Sequence, residues 1–538
     1  MRTLLRAARA RRAAPPVTHE ARFRIAPDDQ YRQWLRHHAP GPAELDAMCR
    51  QSAGFAVRPT ISIAVPVFDT PLELLRRMAE SVLGQVYERW QLCLADDGSS
   101  AAHIPDELNR LCESDRRVVA TRRPHNGGIA AATNSALELA DGEWIAFLDH
   151  DDVLQPHALY RMVEAVNSHP GADVVYSDED KTLLDGQRGQ VHFKHDFDPD
   201  LLLAGNYVSH LSMYRRELLR DIGGVRHGFD GSQDHDLALR ATERARGVVH
   251  VADVLYSWTQ IPGSAALGAH EKPHAWEAEV RAVADALQRR SADASAVMGP
   301  FPGLITVRHS VPAETSVSVI LHGDGGDALP LHNAGCDVQE VIRASETGSR
   351  PTAAALNDAA QQVQSDVVVF IGAGLRPVRD GWLQPLVAQA LRADIGAAGG
   401  RVVSADGAPE HEGYHLGGDA VAESIGVLWP VAQRVAAVSS DALAIRRGLF
   451  HEHGGFDTRY RRTLHDVDLC LRLRAAGHAV IYTPQSELRR EHRTTAGWDD
   501  ADRAVFNATW PAPGDPYVSP WVERLEPFVI RADSSPDV

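Results

Sequence analysis

Short apolar runs alternate with stretches of helical periodicity along the first half of the chain. Ile61 to Val67 is apolar and rich in branched residues, which is typical of a strand buried on both faces, and Leu72 to Val86 follows with helical periodicity. The same patterns recur in the strand-like runs Trp90 to Ala95, Val118 to Thr121 and Trp144 to Leu148, and in the helical stretches Glu107 to Cys112 and Ile129 to Ala140. This alternation predicts an α/β fold whose mostly parallel sheet is covered by helices.

The pattern restarts in the second half of the chain. Ser316 to Leu321 and Val367 to Ile371 have the composition of strands, whereas Thr352 to Gln362 and Leu464 to Ala476 have that of helices. A chain of 538 residues is also too long for one hydrophobic core. We therefore predict two related domains, the second a divergent repeat of the first.

Changes in this pattern predict the domain boundaries. Trp276 to Arg290 has helical periodicity, and Ser291 to Pro302 has the composition of a loop. The predicted segments are a basic arm and helical lead-in at 1–57, a first domain at 58–290, a linker at 291–313, a second domain at 314–515 and a C-terminal tail at 516–538.

Acidic residues outnumber basic ones by 72 to 55, which gives a formal net charge of −17. Such a chain does not attract nucleic acid phosphates in general, so we expect no nucleic acid partner. The N-terminal arm, Met1 to Pro16, differs because it carries Arg2, Arg6, Arg9, Arg11 and Arg12 and no acid. It is either a solvated tail or an electrostatic tether to an anionic membrane surface, where each basic residue contributes about 1 kcal/mol.

Membrane and redox features are sparse in this sequence. No run of about 20 apolar residues predicts a spanning helix, and no secretory signal is recognisable. We therefore expect a cytoplasmic protein, with the basic arm as its route to peripheral contact with the inner face of the cell membrane. The five cysteines form no CxxC pair, so neither a disulfide framework nor a cysteine zinc site is expected.

Polar clusters follow the predicted strands, where ligands of α/β sheets bind. Asp96 and Asp97 end the second strand; a carboxylate there can accept a hydrogen bond from a nucleobase or ribose, or it can simply form a turn. Asn126, Gly127 and Gly128 open a helix, whose N–H groups and dipole favour a diphosphate, although two glycines before a helix also form ordinary turns.

Three carboxylates follow the strand-like run Trp144 to Leu148. If strand geometry continues, Asp149 and Asp151 point to one side and His150 to the other, where we expect it to pack rather than bind a ligand. This concentration of negative charge, completed by Asp152, predicts a site for Mg²⁺ or Mn²⁺. The alternative is a solvated acidic loop.

A further acidic cluster, Gly231 to Asp236, precedes the helical run Leu237 to Ala241. Asp234 is either a helix cap or a general base that takes a proton from an acceptor hydroxyl.

These positions resemble the family 2 glycosyltransferases, which have the GT-A fold. The matching text is ISIAVPVFDT, LADDGSS, NGGIAAATNSALELADGEWIAFLDHDD, VVYSDEDK, and GFDGSQDHDLALR followed by VLYSW. The set covers Ile61 to Trp258 in the family's order and spacing. The likeness is closest to the large tandem enzymes that assemble O-antigen and other cell-envelope polysaccharides.

The resemblance implies an inverting hexosyl or rhamnosyl transferase that uses Mn²⁺ or Mg²⁺. Its donor would be a UDP-, dTDP- or GDP-sugar and its acceptor a glycan or a polyprenyl-linked glycan. The family's roles carry over to this sequence as follows: Pro66, Phe68 and Asp97 hold the nucleoside; Asp149, Asp151 and Asp152 bind the metal and diphosphate, next to Gly128; and Asp234 is the base.

Two departures from the family's pattern affect this prediction. Relatives commonly carry His-Trp-Arg where this chain has Ser257, Trp258 and Thr259, and Gln260 or Lys272 would have to compensate. The second domain resembles the family in GGFDTRYRRTLHDVDLCLRLRAAG, but Phe370 to Gly374, at its metal position, contains no carboxylate. We expect it to be a degenerate GT-A domain used for acceptor binding or assembly.

Two other functions are weighed against sugar transfer. A non-catalytic glycan-binding or scaffold protein built on decayed GT-A domains is favoured by the altered Ser257 to Thr259 segment and disfavoured by the acidic cluster. A nucleotidyltransferase would need a Gly-rich, basic loop after the first strand, and Val65 to Thr70 has neither feature.

Overall fold

The computed structural model describes residues 28–260, 273–301, 303–323, 329, 331, 333–344, 352–417, 420–423, 430–491, 498–511 and 513–522. The basic arm Met1 to Pro16 and Lys272 lie outside the described residues, so the predictions made for them stay predictions. The chain divides into two compact units. The first unit comprises described residues up to 306 together with 518–522, and the second unit comprises 307–517. No described helix combines the length and the apolar character needed to cross a membrane.

The first unit contains a mixed sheet with helices packed against it. Its strands are β1 Ile61–Val67, β2 Trp90–Asp96, β3 Val118–Arg122, β4 Trp144–Phe147, β5 Val153–Leu154, β6 Val174–Thr182, β7 Arg188–His192, β8 Ser212–Arg215, β9 Val248–Thr259 and β10 Ala294–Met298, and β11 Ile305–His309 crosses the boundary. Its helices are α1 Asp28–His38, α2 Pro42–Ser52, α3 Leu72–Leu83, α4 His103–Ser114, α5 Ile129–Glu138, α6 Ala158–Ser168, α7 Pro199–Ala204, α8 Arg216–Asp221, α9 Gln233–Arg244 and α10 Pro273–Arg289.

The strand order places the ends of the predicted strands side by side. The sheet runs β3-β2-β1-β4-β8-β6-β9-β5, with β7 paired to β6. Strands β1 to β4 are mutually parallel, whereas β8 runs antiparallel to both β4 and β6. All seven residues of β1 are buried, as the apolar run predicts for a strand covered on both faces. The sheet is therefore mixed, and its central strands carry the hydrophobic core.

The second unit repeats this arrangement. Its strands are β12 Val317–His322, β13 Val338–Arg343, β14 Val367–Gly372, β15 Leu375–Pro377, β16 Ile395–Val403, β17 Pro409–His411, β18 Tyr414–Gly417, β19 Ala420–Glu423, β20 Gln433–Arg434, β21 Ala442–Arg446 and β22 Ala479–Arg490. Its helices are α11 Ala353–Gln362, α12 Leu383–Leu391, α13 Arg447–Glu452, α14 His465–Ala475 and α15 Asp500–Thr509.

Seven consecutive strands of the two sheets correspond in order and direction. The second runs β13-β12-β14-β21-β16-β22-β15, which matches β2-β1-β4-β8-β6-β9-β5 in order and direction, and β17 pairs with β16 as β7 pairs with β6. Among the described strands of the two large sheets, β3 at the edge of the first and β20, which pairs with β22 in the second, have no counterpart. A pair of hydrogen bonds is also repeated. The Asn134 side chain donates to the Val225 carbonyl and accepts from the Val225 amide, and Asn357 does the same with Phe456. The predicted α/β class and the repeat are confirmed.

Three local predictions need correction. Helix α3 ends at Leu83, before the predicted Val86, and the segment predicted as a loop, Ser291 to Pro302, contains strand β10. The predicted C-terminal tail contains Trp521, which packs in the first unit. Its ring lies 5.1 Å from that of Trp34 in an edge-to-face contact, and its Nε1 donates to the Ala252 carbonyl. A large aromatic side chain buries enough apolar surface to order a short terminal segment.

Candidate functional site

The loops that follow β1, β2 and β4 meet at one edge of the first sheet. Val67 at the end of β1 is in register with Asp96 at the end of β2, and the Asp97 amide continues the pairing by donating to the Val67 carbonyl. The Leu148 amide, just after β4, donates to the Ala64 carbonyl. These parallel pairings bring the residues predicted after each strand to a common edge.

Asp97 organises the loop that precedes α5. Its buried carboxylate accepts hydrogen bonds from the Gly127 amide at 3.0 Å, the Gly128 amide at 2.8 Å and Arg123 Nε at 2.8 Å. Gly128 has φ = 86°, a left-handed conformation that favours glycine. The sequence predicted that these amide groups face a diphosphate, but in the structure they donate to Asp97. The loop is therefore shaped by a protein carboxylate.

The predicted nucleoside residues differ in exposure. Pro66 is buried in β1, whereas Phe68, directly after the strand, is 43% exposed. The next residue, Asp69, accepts hydrogen bonds from the amides of Ser100 and Ala101, which ties the end of β1 to the loop after β2. Phe68 thus presents an aromatic face at this edge, and Pro66 supports the strand beneath it.

The acidic cluster is a turn and not a continuation of β4. The strand ends at Phe147, the Asp152 amide donates to the Asp149 carbonyl at 3.3 Å, and β5 begins at Val153. The expectation that strand alternation orients Asp149 and Asp151 is therefore wrong. Their side chains are 37% and 19% exposed, respectively.

Asp152 differs from Asp149 and Asp151 because both of its carboxylate oxygens accept hydrogen bonds from protein groups. Tyr256 Oη donates to Oδ2 at 2.6 Å, and the Thr259 amide donates to Oδ1 at 2.7 Å. Burial, with the charges of Asp149 and Asp151, raises the pKa of Asp152 well above its usual range. Burial also raises the pKa of Asp151, and Asp149 adds to this effect. Asp152 therefore anchors β9 to the turn, which the prediction of a three-carboxylate metal site did not foresee.

Asp149 and Asp151 fit a hard divalent cation. Mg²⁺ is commonly bound through one or two carboxylates together with substrate phosphates and water. Two partly exposed carboxylates in one turn provide that donor set, whereas Asp152 is already hydrogen-bonded. No three His, Cys, Asp or Glu side chains in the described part of the chain are arranged as a ready-made metal site. A cation held by two carboxylates would complete its coordination with phosphate oxygens or water.

The Ser257 to Thr259 segment forms part of the wall of this site. The Ser257 hydroxyl donates to Asp180 Oδ1, so it is directed at a buried carboxylate, and Thr259 contributes its amide to Asp152. Gln260, proposed from the sequence to compensate for the altered motif, has its side-chain amide 3.4 Å from Gln190 Oε1.

His210 is a site residue that the sequence did not reveal. Its Nε2 lies 3.7 Å from Asp149 Oδ2, and its ring stacks on Tyr256 with 4.6 Å between centroids. It lies just before β8, far from the acidic turn in the sequence, and no motif marks it. Only the antiparallel pairing of β4 with β8 brings the two segments together.

Asp234 and Asp236 have different environments at the start of α9. Asp234 is the second residue of the helix, not its cap, and its Oδ2 accepts a hydrogen bond from Asn206 Nδ2 at 2.8 Å. Asp236 is fully buried between Arg226 and Arg240. The cap interpretation of Asp234 is therefore wrong, and Asp236 serves as a structural ion-pair partner.

A single loop contacts both Asp234 and the acidic turn. This loop, 206–210, begins with Asn206, which donates to Asp234, and ends with His210, which faces Asp149. The Ser209 amide donates to Asn206 Oδ1 at 3.3 Å and so links the two ends. The predicted base and the predicted metal-binding turn therefore border one region.

The second unit keeps the framework of this site but lacks its metal position. Asp468 pairs with Arg472 as Asp236 pairs with Arg240, and Asp466 occupies the place of Asp234 in the repeat. Asp466 is buried and accepts from the Ser440 amide at 2.8 Å. From the last residue of β14 the chain reads Gly372, Ala373, Gly374 and Leu375, so no carboxylate occupies the positions of Asp149 to Asp152.

Comparisons with known proteins place these residues in a family. Residues 62–223 match the family model described as glycosyl transferase family 2. The chain is 34% identical over 491 residues to the uncharacterized protein y4gI of Sinorhizobium fredii, covering 82% of this chain and 54% of that protein. It is 31% identical over 531 residues to the O-antigen biosynthesis protein RfbC of Myxococcus xanthus, covering 89% of this chain and 41% of that protein.

The chain thus spans about half the length of the curated relatives it matches. Among solved structures, TarS of S. aureus (residues 1–349) is similar with a TM-score of 0.35 and 18% identity, over 42% of this chain and 65% of that chain. The part of the chain that carries Asp97, Asp149 and Asp151 belongs to glycosyl transferase family 2.

Proposed function

We propose that the first unit transfers a sugar, with inversion, from a nucleotide-diphosphate donor to a glycan or polyprenyl-linked acceptor. The observation that carries this proposal is the loop 206–210, which joins Asp234 at one end to Asp149 at the other. A base on one side of a reacting centre and cation-binding carboxylates on the other is what a single inverting displacement requires.

Asp234 is the proposed general base. The acceptor oxygen attacks the anomeric carbon, its proton passes to the Asp234 carboxylate, and the bond from that carbon to the diphosphate oxygen breaks. The nucleoside diphosphate leaves with the bonding electrons. Asn206 holds Asp234 Oδ2 and thereby fixes the orientation of the carboxylate. General-base catalysis of this kind typically contributes about 10² to 10⁴ in rate.

Asp149 and Asp151 are the proposed ligands of Mn²⁺ or Mg²⁺. A bound divalent ion would neutralise the charge that develops on the diphosphate as it leaves. Asp152 is proposed to support the turn, because its two hydrogen bonds from β9 hold the turn's backbone in place. Its role is therefore positioning.

The nucleoside end of the donor is proposed to lie against Phe68, with Pro66 and Asp97 beneath it. Phe68 supplies an exposed aromatic surface on which a base can stack. Asp97 acts through the Asn126 to Gly128 loop that it organises. UDP-, dTDP- and GDP-sugars carry bases that fit such a surface, and the donor sugar is proposed to be a hexose or rhamnose.

The biological setting is proposed to be cell-envelope polysaccharide synthesis on the cytoplasmic side of the membrane. The similarity to a protein named for O-antigen biosynthesis supports this setting. The basic arm would provide peripheral membrane contact. The second unit, which has no carboxylate at its metal position, is proposed to bind acceptor or to serve assembly.

A thermal-shift screen of UDP-, dTDP- and GDP-sugars, with and without Mn²⁺, tests the proposal. A ligand that binds the native state raises its apparent stability, by about 2.7 kcal/mol when present at 100 times its Kd. We expect one donor class to stabilise the protein in the presence of Mn²⁺ and to be consumed when acceptor is added. Stabilisation by glycans alone, with no nucleotide effect, would instead indicate a non-catalytic glycan-binding protein.

A further inference from the structure

The backbone of His210 is held in place from two sides. Lys194 Nζ donates to the His210 carbonyl at 2.6 Å, and the His210 amide donates to Glu179 Oε2 at 3.3 Å. Lys194 and Glu179 are themselves paired at 3.2 Å, and both are buried. This ion pair therefore clamps the backbone of His210.

Aromatic contacts fix the ring itself. It stacks on Tyr256 with an interplanar angle of 14° and meets Trp258 edge to face, with 5.0 Å between centroids. The side chain is 10% exposed. Packing of this kind leaves little freedom for the ring to rotate, so each ring nitrogen keeps its direction.

The two nitrogens have different surroundings. Nδ1 is buried and has no hydrogen-bond partner in the described part of the chain, whereas Nε2 faces Asp149 Oδ2 across 3.7 Å. A buried N–H without an acceptor is rarer in proteins than an acceptor without a donor. The tautomer that leaves the buried Nδ1 unprotonated therefore places the N–H on Nε2. At 3.7 Å the Asp149 oxygen is too far away to accept a hydrogen bond, so Nε2 has no acceptor within range among the described residues.

Several donors at this edge already have protein acceptors, whereas Trp258 Nε1 and Thr259 Oγ1 are buried without a hydrogen-bond partner among the described residues. The amides of Gly127 and Gly128 donate to Asp97, and the Thr259 amide donates to Asp152. The Ser257 hydroxyl donates to Asp180. An anionic ligand bound next to Asp149 and Asp151 needs hydrogen-bond donors, and His210 supplies one that is positioned and available.

We propose that His210 Nε2–H donates a hydrogen bond to a diphosphate oxygen of the donor. This inference rests on the proposed function and names His210, in the loop 206–210, as a residue that contacts the diphosphate. The interaction is made to phosphate and not to the base or the ribose. Loss of the N–H therefore weakens binding of a nucleoside diphosphate and leaves binding of the matching nucleoside unchanged.

Two substitutions separate the N–H from the ring. His210→Phe keeps the stack on Tyr256 without a donor, and His210→Gln keeps an N–H near the Nε2 position without the ring. The measurement is the Kd of UDP, dTDP and GDP with Mn²⁺, and of uridine, thymidine and guanosine, by calorimetry. Hydrogen bonds to charged groups correspond to a factor of about 10 to 100 in Kd. We expect that loss for the diphosphate in His210→Phe and its recovery to within about threefold in His210→Gln.

His250→Gln is the matched control. His250 stacks on Tyr176 at 5.0 Å, as His210 stacks on Tyr256, but its Nε2 contacts Asp178 in the core. It should leave the ratio of diphosphate to nucleoside Kd unchanged. Because this ratio is taken within each variant, a partly unfolded fraction affects both constants alike and cancels.

Several outcomes would overturn the proposal. An unchanged ratio in His210→Phe would show that the N–H does not contact phosphate, and equal loss of diphosphate and nucleoside would show a purely structural role. Weaker Mn²⁺ binding by His210→Phe without nucleotide, seen by electron paramagnetic resonance, would make the imidazole a metal ligand instead. If the wild-type protein binds none of the three diphosphates, the proposed function fails first, and this inference fails with it.

Discussion

Asn206 donates a 2.8 Å hydrogen bond from its side-chain amide to Oδ2 of Asp234. The side-chain Oδ1 of Asn206 also accepts a hydrogen bond from the Ser209 amide. His210, which follows Ser209, faces Asp149. The proposed base and the proposed cation site are therefore joined by one short loop. This relationship leads to the first of four predictions.

Asp234→Asn should lower the rate of transfer by about 10² to 10⁴, because Asn cannot accept the proton. Donor affinity should change little, since Asp149, Asp151 and Phe68 remain. Asp236→Asn is the matched control: it breaks a buried pair with Arg226 and Arg240 and should destabilise the fold by about 3 to 5 kcal/mol. Initial rate, donor Kd and unfolding free energy are measured for both. A normal rate in Asp234→Asn, or a rate lost only with donor binding, would refute the assignment.

Removal of the divalent ion should lower the rate of transfer strongly, and Asp151→Ala should have the same effect. Loss of several kcal/mol of charge stabilisation corresponds to a rate decrease of about 10² to 10³. The test compares turnover before chelation, after chelation and after Mn²⁺ is restored. Asp141→Ala, an exposed aspartate before the start of β4 at the opposite end of the strand, should behave like wild type. Full turnover by protein shown to be metal-free would contradict this prediction.

The second unit should contribute no transfer of its own. Asp466→Asn in the 538-residue chain alters the counterpart of Asp234, and we expect a transfer rate within about twofold of wild type once folding is verified. The physical reason is that Gly372 to Gly374 offer no anionic ligand for a cation. Asp234→Asn and Asp466→Asn are assayed side by side. Residual activity of Asp234→Asn that disappears in the double variant would show that the second unit is active.

Stability of the first unit should fall on acidification through His195. Burial lowers the pKa of His195 to about 4, whereas the unfolded side chain titrates near 6.5. Between these values the unfolded state binds a proton that the folded state does not, so stability falls as pH falls from about 6.5 to 4. The full effect is about 3 kcal/mol.

His195→Asn removes this proton uptake while Asn can still donate to the Asp196 carbonyl, which lies 2.7 Å from His195 Nδ1. Urea unfolding at pH 7.5 and pH 4.5 should show a smaller pH-dependent loss for the variant than for wild type. His227→Asn, at an exposed position, should keep the wild-type difference. Equal pH dependence in all three proteins would mean that His195 is not the responsible group.

Local patterns in the sequence predict much of the fold. The bounds of β1 agree with the prediction at both ends, because a fully buried strand is a continuous apolar run. The repeat was recognisable because α14 preserves the motif of α9, including the Asp and Arg spaced four residues apart. The strand at Ala294–Met298 was missed because a short, half-buried run next to glycine and proline has no distinctive periodicity.

The site was only partly predictable. Asp149, Asp151 and Asp234 are recognisable because their spacing and position after strands or before helices are local properties of the sequence. The use of Asp97 to hold Gly127 and Gly128, and of Asp152 to hold Thr259, depends on hydrogen bonds between segments that are distant in the chain. The spacing of residues within one segment cannot predict such bonds.

The sequence by itself determined the α/β class, the tandem repeat, the family of the first unit and the absence of a carboxylate after β14. These properties follow from hydrophobic periodicity and from motifs confined to single elements. Only the tertiary structure decided which aspartate side chains remain available to a ligand and which accept hydrogen bonds from the protein itself. That choice, like the position of His210 beside Asp149, depends on strand order and on the antiparallel insertion of β8, because pairing between distant strands sets which side chains meet.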